Sequence, residues 1–490
     1  MLKLQYEELK SLKRTINLDE KANEVWAPLI QRQQVLILNT FKKFNHSKDN
    51  EGNTLKNHLC EEWTNKNLDI KYTNDFLAHE LMLDPNFKLE LPEPHAYEPY
   101  KKEFIEFLSD SLKKKDYSFA PVLIHNIMNS LLHCALGSKE AQNKLKDVLD
   151  DDLLLQQISR GSLEVGALMK FVVDTMGSLC APDRDKMVES LRSLDALISE
   201  PLIAGIIETL ALMKLDVANY QLRSILPFLK AHGYQYELEM FLKRVGGFGN
   251  LNKTERWLTS ALTRGSKDSL QKTFVMGIAD ILFTADNWSL NTCPEILKLD
   301  YGRLKESIEK IKNIVKTACT LLHMEMHARA LRNASVLGFK KKLSNDLLVL
   351  LSGIEKEFDK NISACEHALK LMATFLRDLD QPELLHKDKS SLTNLILQSY
   401  NQENVLNRHV KRKLRSLIED ILSSVLKTQT ALKEWTLPRG NVEFSALENH
   451  LNDLLLDINR VVLHDYMVYG DICKQIIASI RTETHEAETD

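Results

Sequence analysis

The sequence predicts an all-α protein, an elongated and irregular array of many helices arranged as two packed lobes, with no sheet. Three observations predict it. Glycine (17) and proline (12) are scarce for a chain of 490 residues, below their usual shares of about 7% and about 5%. Apolar residues recur at three- and four-residue intervals along most of the chain, the spacing of one helix face. The regularly spaced turn clusters that separate short strands are missing. No internal repeat of fixed period is present, which argues against a regular solenoid.

The first 44 residues read as an N-terminal helical extension. Leu2, Tyr6, Leu9 and Ile16 form an apolar stripe, and Lys3, Lys10, Lys13 and Arg14 decorate the same helix. Such a helix docks on the body or, as a basic amphipathic element, on a membrane or partner. Residues 45–73 are polar and weakly patterned, and their first half reads as a mobile linker. Ordered structure is expected to resume near Asn74, opening a helical lobe over 74–245.

Within that lobe, Ile124, Ile127, Met128, Leu131, Leu132 and Ala135 share one face of a helix that Pro121 can begin. Gly137 is expected to cap its end in a left-handed conformation, and Ser138 to cap the next helix. Gly161 and Ser162 repeat the stop-and-start signal before a helix carrying Leu168, Met169, Val172, Met176 and Leu179. "VGGFGN" at 245–250 is the strongest interior break. A second helical lobe follows over 251–480, with weaker breaks at 286–294, 377–390 and 436–442. Residues 481–490 form an acidic, solvated tail.

Composition excludes several function classes. With 64 Lys and Arg against 68 Asp and Glu the net charge is −4, so no global field attracts nucleic acid. The seven cysteines, Cys60, Cys134, Cys180, Cys293, Cys319, Cys365 and Cys473, are widely spaced and contain no CxxC pair. That is the pattern of reduced thiols rather than of a disulfide framework. No uncharged apolar run approaches the ~18 residues that suggest a membrane span, and the N-terminus lacks a signal-peptide core. A cytoplasmic location is expected, with at most peripheral membrane contact.

Motifs that carry chemistry are few. Cys319, His323 and His327 lie along one helix face, but three ligands strung along about 12 Å of straight helix cannot converge on one metal. The glycines of 245–250 follow a helix and lack the Lys-Ser or Lys-Thr pair of a phosphate loop. Cys180, beside Arg184, has no base arranged with it, and burial would leave it inert. Arg332 three residues before Ser335 loosely fits a basophilic kinase site. Arg408, Lys411, Arg412, Lys413 and Arg415 form the densest basic cluster, opposite the apolar face of Leu414, Leu417, Ile421, Leu422 and Val425. It is either a solvated face or a patch for an acidic protein or anionic lipid. It lacks the interleaved aromatics of a single-strand nucleic-acid binder.

Four segments, in order, resemble the t-complex protein 11 family: "AHELMLDPNFKLELPEP" at 78–94, "KKDYSFAPVLIHNIMNSLLHCALG" at 114–137, "FVVDTMGSLCAPDRD" at 171–185 and "LMKLDVANYQLRSILPFLKAHGYQYE" at 212–237. The resemblance spans roughly 74–480 and is strongest to about 260. Lys186 and Met187 depart from the acidic pair usual after the Arg-Asp step, and Asp183 replaces a small apolar residue. The resemblance implies an all-α protein without catalytic activity. It also implies a regulator or adaptor of intracellular signalling, linked to the cAMP–protein kinase A pathway, with some members tied to the cytoskeleton. Read physically, Arg184, Asp185, Asp216 and Asn219 form either a structural polar network between helices or a partner groove. The expected partners are proteins, kinase-pathway or cytoskeletal components among them, with no nucleic acid. No catalytic residue, cofactor or metal is expected. The alternative is a cytoskeleton- or membrane-associated structural protein that binds through basic helix faces.

Overall fold

In a computed structural model the protein is all-α: among the described residues there are fifteen α-helices and no strand. The structure describes residues 73–91, 94–114, 120–148, 164–194, 199–264, 269–284, 288–327, 336–353, 356–380 and 386–487, with isolated positions between 156 and 162. The N-terminal extension, most of the linker, Cys60 and the Arg332–Ser335 motif lie outside them. The chain forms two compact units. Unit 1 includes 86–227, and unit 2 comprises 78–85 together with 228–490.

Unit 1 holds α2 (Pro94–Lys114), α3 (Ala120–Cys134), α4 (Lys139–Val148), α5 (Val165–Leu179), α6 (Asp185–Arg192) and the first part of α7 (Glu200–Val245). The stripe expected on α3 faces the core: Leu123, Ile124, Ile127 and Leu131 are buried with Ala135. They pack with Leu168, Met169, Val172, Val173 and Met176 of α5 and with Ile203, Ile206 and Leu210 of α7. Each such side chain is worth about 1.5–3 kcal/mol relative to an exposed one. Ser138 caps α4 as expected, its hydroxyl accepting from the Ala141 amide at 3.2 Å. Gly137 does not adopt the left-handed conformation expected of it. The end of α3 closes instead by tight turns, Leu136 N–H to His133 O and Ser138 N–H to Ala135 O, with the Gln142 amide donating to Ala135 O. The orphan carbonyls are met without a positive φ.

Unit 2 begins with the end of α1 (Asn74–Leu83) and the part of α7 beyond Pro227, which stands inside the helix. At the end of α7, Gly246 takes φ 75° and the Gly247 amide reaches back to Leu242 O at 3.1 Å. This is a Schellman closure, for which glycine is favoured because a left-handed residue carries no Cβ penalty. The break expected at 245–250 is thus a helix stop with a stated cause.

There follow α8 (Asn252–Arg264), α9 (Leu270–Thr284), α10 (Tyr301–His327), α11 (Leu337–Ser352), α12 (Glu357–Asp378), α13 (His386–Ser399), α14 (Val405–Thr428) and α15 (Glu448–Ala487). The main core of unit 2 joins α8, α9, α10, α14 and α15 around Phe274, Ile311, Leu414 and Leu455. A second core joins α10, α11, α12 and α13, where Ala364, Cys365 and Ala368 present small side chains to Leu343, Leu392 and Ile396. Of the weaker expected breaks, 288–294 is non-helical as described, and α12 ends inside 377–390 with a turn at Asp380, φ 51°. The last is wider than expected, running from Gln429 at φ 50° to Asn441.

Candidate functional site

The polar set of the signature lies in unit 1. Pro182–Arg184 forms one 3₁₀ turn, which leads straight into α6. Arg184 at its end donates from Nε and Nη2 to the two carboxylate oxygens of Asp216 on α7, at 2.8 and 2.9 Å. This bidentate fork is the geometry in which Arg surpasses Lys. One turn further along α7, Asn219 accepts from the Leu89 amide at 2.8 Å and donates to the Leu89 carbonyl at 3.1 Å. Its amide replaces a neighbouring strand for the non-helical segment 87–91. Asp185 is exposed and faces Cys180, whose thiol lies 3.4 Å from its Oδ1. Partial burial, then Asp185, pushes the Cys180 thiol up, away from reactivity. So Arg184 and Asp216 meet, while Asn219 and Asp185 each serve a different contact.

The basic cluster on α14 divides into two groups. Lys413 pairs with Glu443 at 2.7 Å, and Arg415 joins Asp280 at 2.9 Å and Glu419 at 2.7 Å. Arg408 and Arg412 are exposed. Lys411 reaches Gln402 Oε1 at 3.1 Å and sits at a cavity of about 290 Å³ lined by Phe283, Ile308, Ile311, Lys316 and Tyr400. Lys316 is held there by Glu357 and Asn361, both at 3.0 Å. The Asn404 side chain caps α14 by accepting from the Leu406 amide at 2.8 Å.

The Cys319, His323 and His327 ladder is a packing feature. Cys319 is wholly buried and its thiol is pushed up to about 12 by desolvation. His323 is buried, which holds its pKa down, and His327 bonds the His323 carbonyl.

The most heavily charged interior lies in unit 2, and the sequence reading did not find it. Glu237, on α7, is 1% exposed. Its Oε2 lies 2.7 Å from His464 Nε2, and its Oε1 lies 2.8 Å from His79 Nδ1 and accepts from the Tyr469 hydroxyl at 3.1 Å. The other nitrogen of His79 approaches Asp300 Oδ2 at 2.9 Å, a close contact out of hydrogen-bond alignment. Asp300, just ahead of α10, is held by Arg303, which also pairs with Glu80. Asp465, next to His464 on α15, is 1% exposed, and neither carboxylate oxygen has a hydrogen-bond partner.

Physical causes compete within this cluster. Burial would raise the Glu237 carboxyl, but the hydrogen bonds from His464 and His79 prevail and hold it at about 2. Burial would lower His79, yet Asp300 and Glu237 outweigh it and hold the ring well above its ordinary value. Asp465 is driven well up by burial and then by the Asp300 charge. Buried charges cost several kcal/mol each unless paired, and here almost every one is paired. One ligand atom from each of His79, Glu237 and His464 lies within 4.8 Å of the others, all three residues being buried. No described helix is long and apolar enough to cross a membrane.

A family model described as T-complex protein 11 matches residues 77–478. The chain belongs to the T-complex protein 11 family. It is similar to human T-complex protein 11-like X-linked protein 2, with 25% identity over 458 residues, covering 86% of this chain and 88% of that protein. It is similar to mouse T-complex protein 11 at 36% identity over 168 residues, which cover 33% of this chain and 29% of the mouse protein. Protein SOK1 of Saccharomyces cerevisiae is 25% identical over 318 residues, 56% of this chain and 34% of the yeast protein. No solved structure matches the chain.

The part matched to the T-complex protein 11 family contains both expected site sets and the buried cluster. His79 and Glu237 fall in two of the four segments that carry the resemblance. One local signal was available. On α15, Asp465 occupies a core position in the stripe of Ile458, Val461, Val462, Val468, Tyr469 and Ile472. A charged residue where the period demands an apolar one marks a buried polar site.

Proposed function

We propose that this T-complex protein 11 family member is a non-enzymatic helical adaptor of intracellular signalling. It docks an acidic protein partner on the exposed basic face at the start of α14. The link to the cAMP–protein kinase A pathway rests on the family resemblance. The observation that carries the docking reading is the placement of Arg408, Lys411 and Arg412 in the first turns of α14, with Arg408 and Arg412 exposed. Arg408, in the first turn, sits near the positive end of the helix dipole, where a cation is unfavourable by about 0.3–1 kcal/mol. The charge therefore does not serve the helix. An anionic partner meets the side chains and the dipole together. Lys413 and Arg415 act within the fold, through Glu443, Asp280 and Glu419.

Affinity capture from native extract, with quantitative mass spectrometry, tests this reading on the full chain and on an Arg408→Glu/Lys411→Glu/Arg412→Glu variant of unchanged helicity. Kinase-pathway components enriched by the native chain and lost from the variant support it. Their absence, or an unchanged partner list, refutes it. The same exposed charges favour a second reading, a structural protein bound to the cytoskeleton or to anionic membrane. Salt-sensitive co-sedimentation with microtubules or anionic vesicles, lost in the same variant, would favour that reading over the first.

A further inference from the structure

The buried cluster of unit 2 has no part in docking a partner, yet it contains the densest set of donor atoms described in the chain. We propose that His79, Glu237 and His464 form a structural site for one divalent transition-metal ion of the zinc class.

The donors converge from three helices far apart in sequence, His79 and Glu237 being 158 positions apart and Glu237 and His464 227. Two imidazoles and one carboxylate are a donor set that zinc accepts, leaving a fourth position for another group. At metal–ligand distances of about 2.0–2.2 Å, ligand atoms in a tetrahedral site lie about 3.4 Å apart. Glu237 now meets the two rings through different oxygens, Oε2 with His464 at 2.7 Å and Oε1 with His79 at 2.8 Å, hydrogen-bond contacts that a bound ion would open. The widest separation in the set, at most 4.8 Å, has to close by roughly 1.4 Å, within the reach of small side-chain rotations.

A second, independent observation points the same way. Asp465 is buried and its two carboxylate oxygens have no hydrogen-bond partner. A buried carboxyl group with nothing to bond is costly. Adjacent to His464 in sequence, it lies outside the three-donor group, but a cation held by His79, Glu237 and His464 would offset the cost of burying it.

A third is the surrounding support. Metal-bound histidines commonly present their other nitrogen to a carboxylate that fixes the ring. Asp300 faces the second nitrogen of His79, Arg303 holds Asp300, and Glu80 holds Arg303. Glu237 and Asp300 together bring two negative charges, which a dication neutralises once His79 gives up its proton on binding, while Arg303 and Glu80 offset each other. Imidazole with carboxylate suits zinc and its first-row neighbours. Calcium, which takes six to eight oxygens, is not matched by this set. With every donor buried the ion would be closed off from substrate, so its role is to tie α1, α7 and α15 together. Structural zinc contributes folding energy in this way.

The test uses the full chain expressed in zinc-supplemented medium and, separately, refolded with Co²⁺. Elemental analysis is expected to find about one equivalent of metal per native chain. Glu237→Gln and His464→Gln variants are expected to lose it, and a chelator should lower the Tm of the native chain only. X-ray absorption at the cobalt edge of the native chain should report two imidazole ligands, a readout that does not depend on the variants folding. A folded native chain that retains no metal after both treatments overturns the proposal. So does metal whose spectrum shows no imidazole, or metal kept in full by folded variants.

Discussion

At the residue scale, the signature's Arg184, Asp216 and Asn219 make contacts within unit 1. Arg184 uses its fork on Asp216 and is about a quarter exposed. Replacing Arg184 with Met should cost about 1 kcal/mol, at the upper end for a partly solvated pair, as read by urea unfolding. It should leave the captured partner list unchanged, and a lost partner would return the signature to the binding surface. Glu295 carries a sharper prediction. Leu251 precedes α8 and has no side-chain acceptor, so the carboxylate of Glu295 caps the helix from a distance. It accepts from the Lys253 and Thr254 amides at 3.3 and 2.8 Å and from the Thr254 hydroxyl at 2.8 Å. Burial would raise its pKa, but these hydrogen bonds win and lower it from 4.5. A depressed carboxyl stabilises the fold above its unfolded value and loses that contribution as pH falls through the folded one. Glu295→Gln should therefore cost about 1–2 kcal/mol at neutral pH. The difference from the native chain should shrink in acid, and unfolding curves at both conditions decide.

Helices, their stops and their faces were largely legible from the sequence. The α3 and α5 stripes, the Ser138 cap and the glycine stop after Val245 follow from local periodicity and backbone preference. The buried charges were not legible as a group, because periodicity shows which face a residue occupies and not what lies across from it. Asp465 on an apolar stripe was a visible anomaly. Its relation to His79 and Glu237 exists only once distant helices pack. Gly137 shows the opposite error, a cap inferred from residue type where tight turns close the helix instead. Close helix approach is another feature that only packing reveals. A Cβ on Gly277 of α9 would lie 2.6 Å from the Trp257 indole of α8. That ring is also set edge-on against Phe274 at 5.4 Å. Gly277→Ala gains helix propensity but forces the indole to move, so a net loss of about 1–3 kcal/mol is expected. A variant as stable as the native chain would mean that the α8–α9 contact is looser than described.

For the whole molecule, the two polar systems have different duties. Paired charge, buried at Glu237 and its neighbours in unit 2 and partly exposed at Arg184 with Asp216 in unit 1, joins helices within each unit. Exterior charge at the start of α14 is where the T-complex protein 11 family chain is proposed to dock its partner. Hydrogen–deuterium exchange of the full chain, with and without its captured protein partner, compares these regions in one experiment. The account predicts slower exchange in 405–416 on partner binding and no change in 182–219. Protection confined to 182–219, with 405–416 exchanging as before, would contradict it.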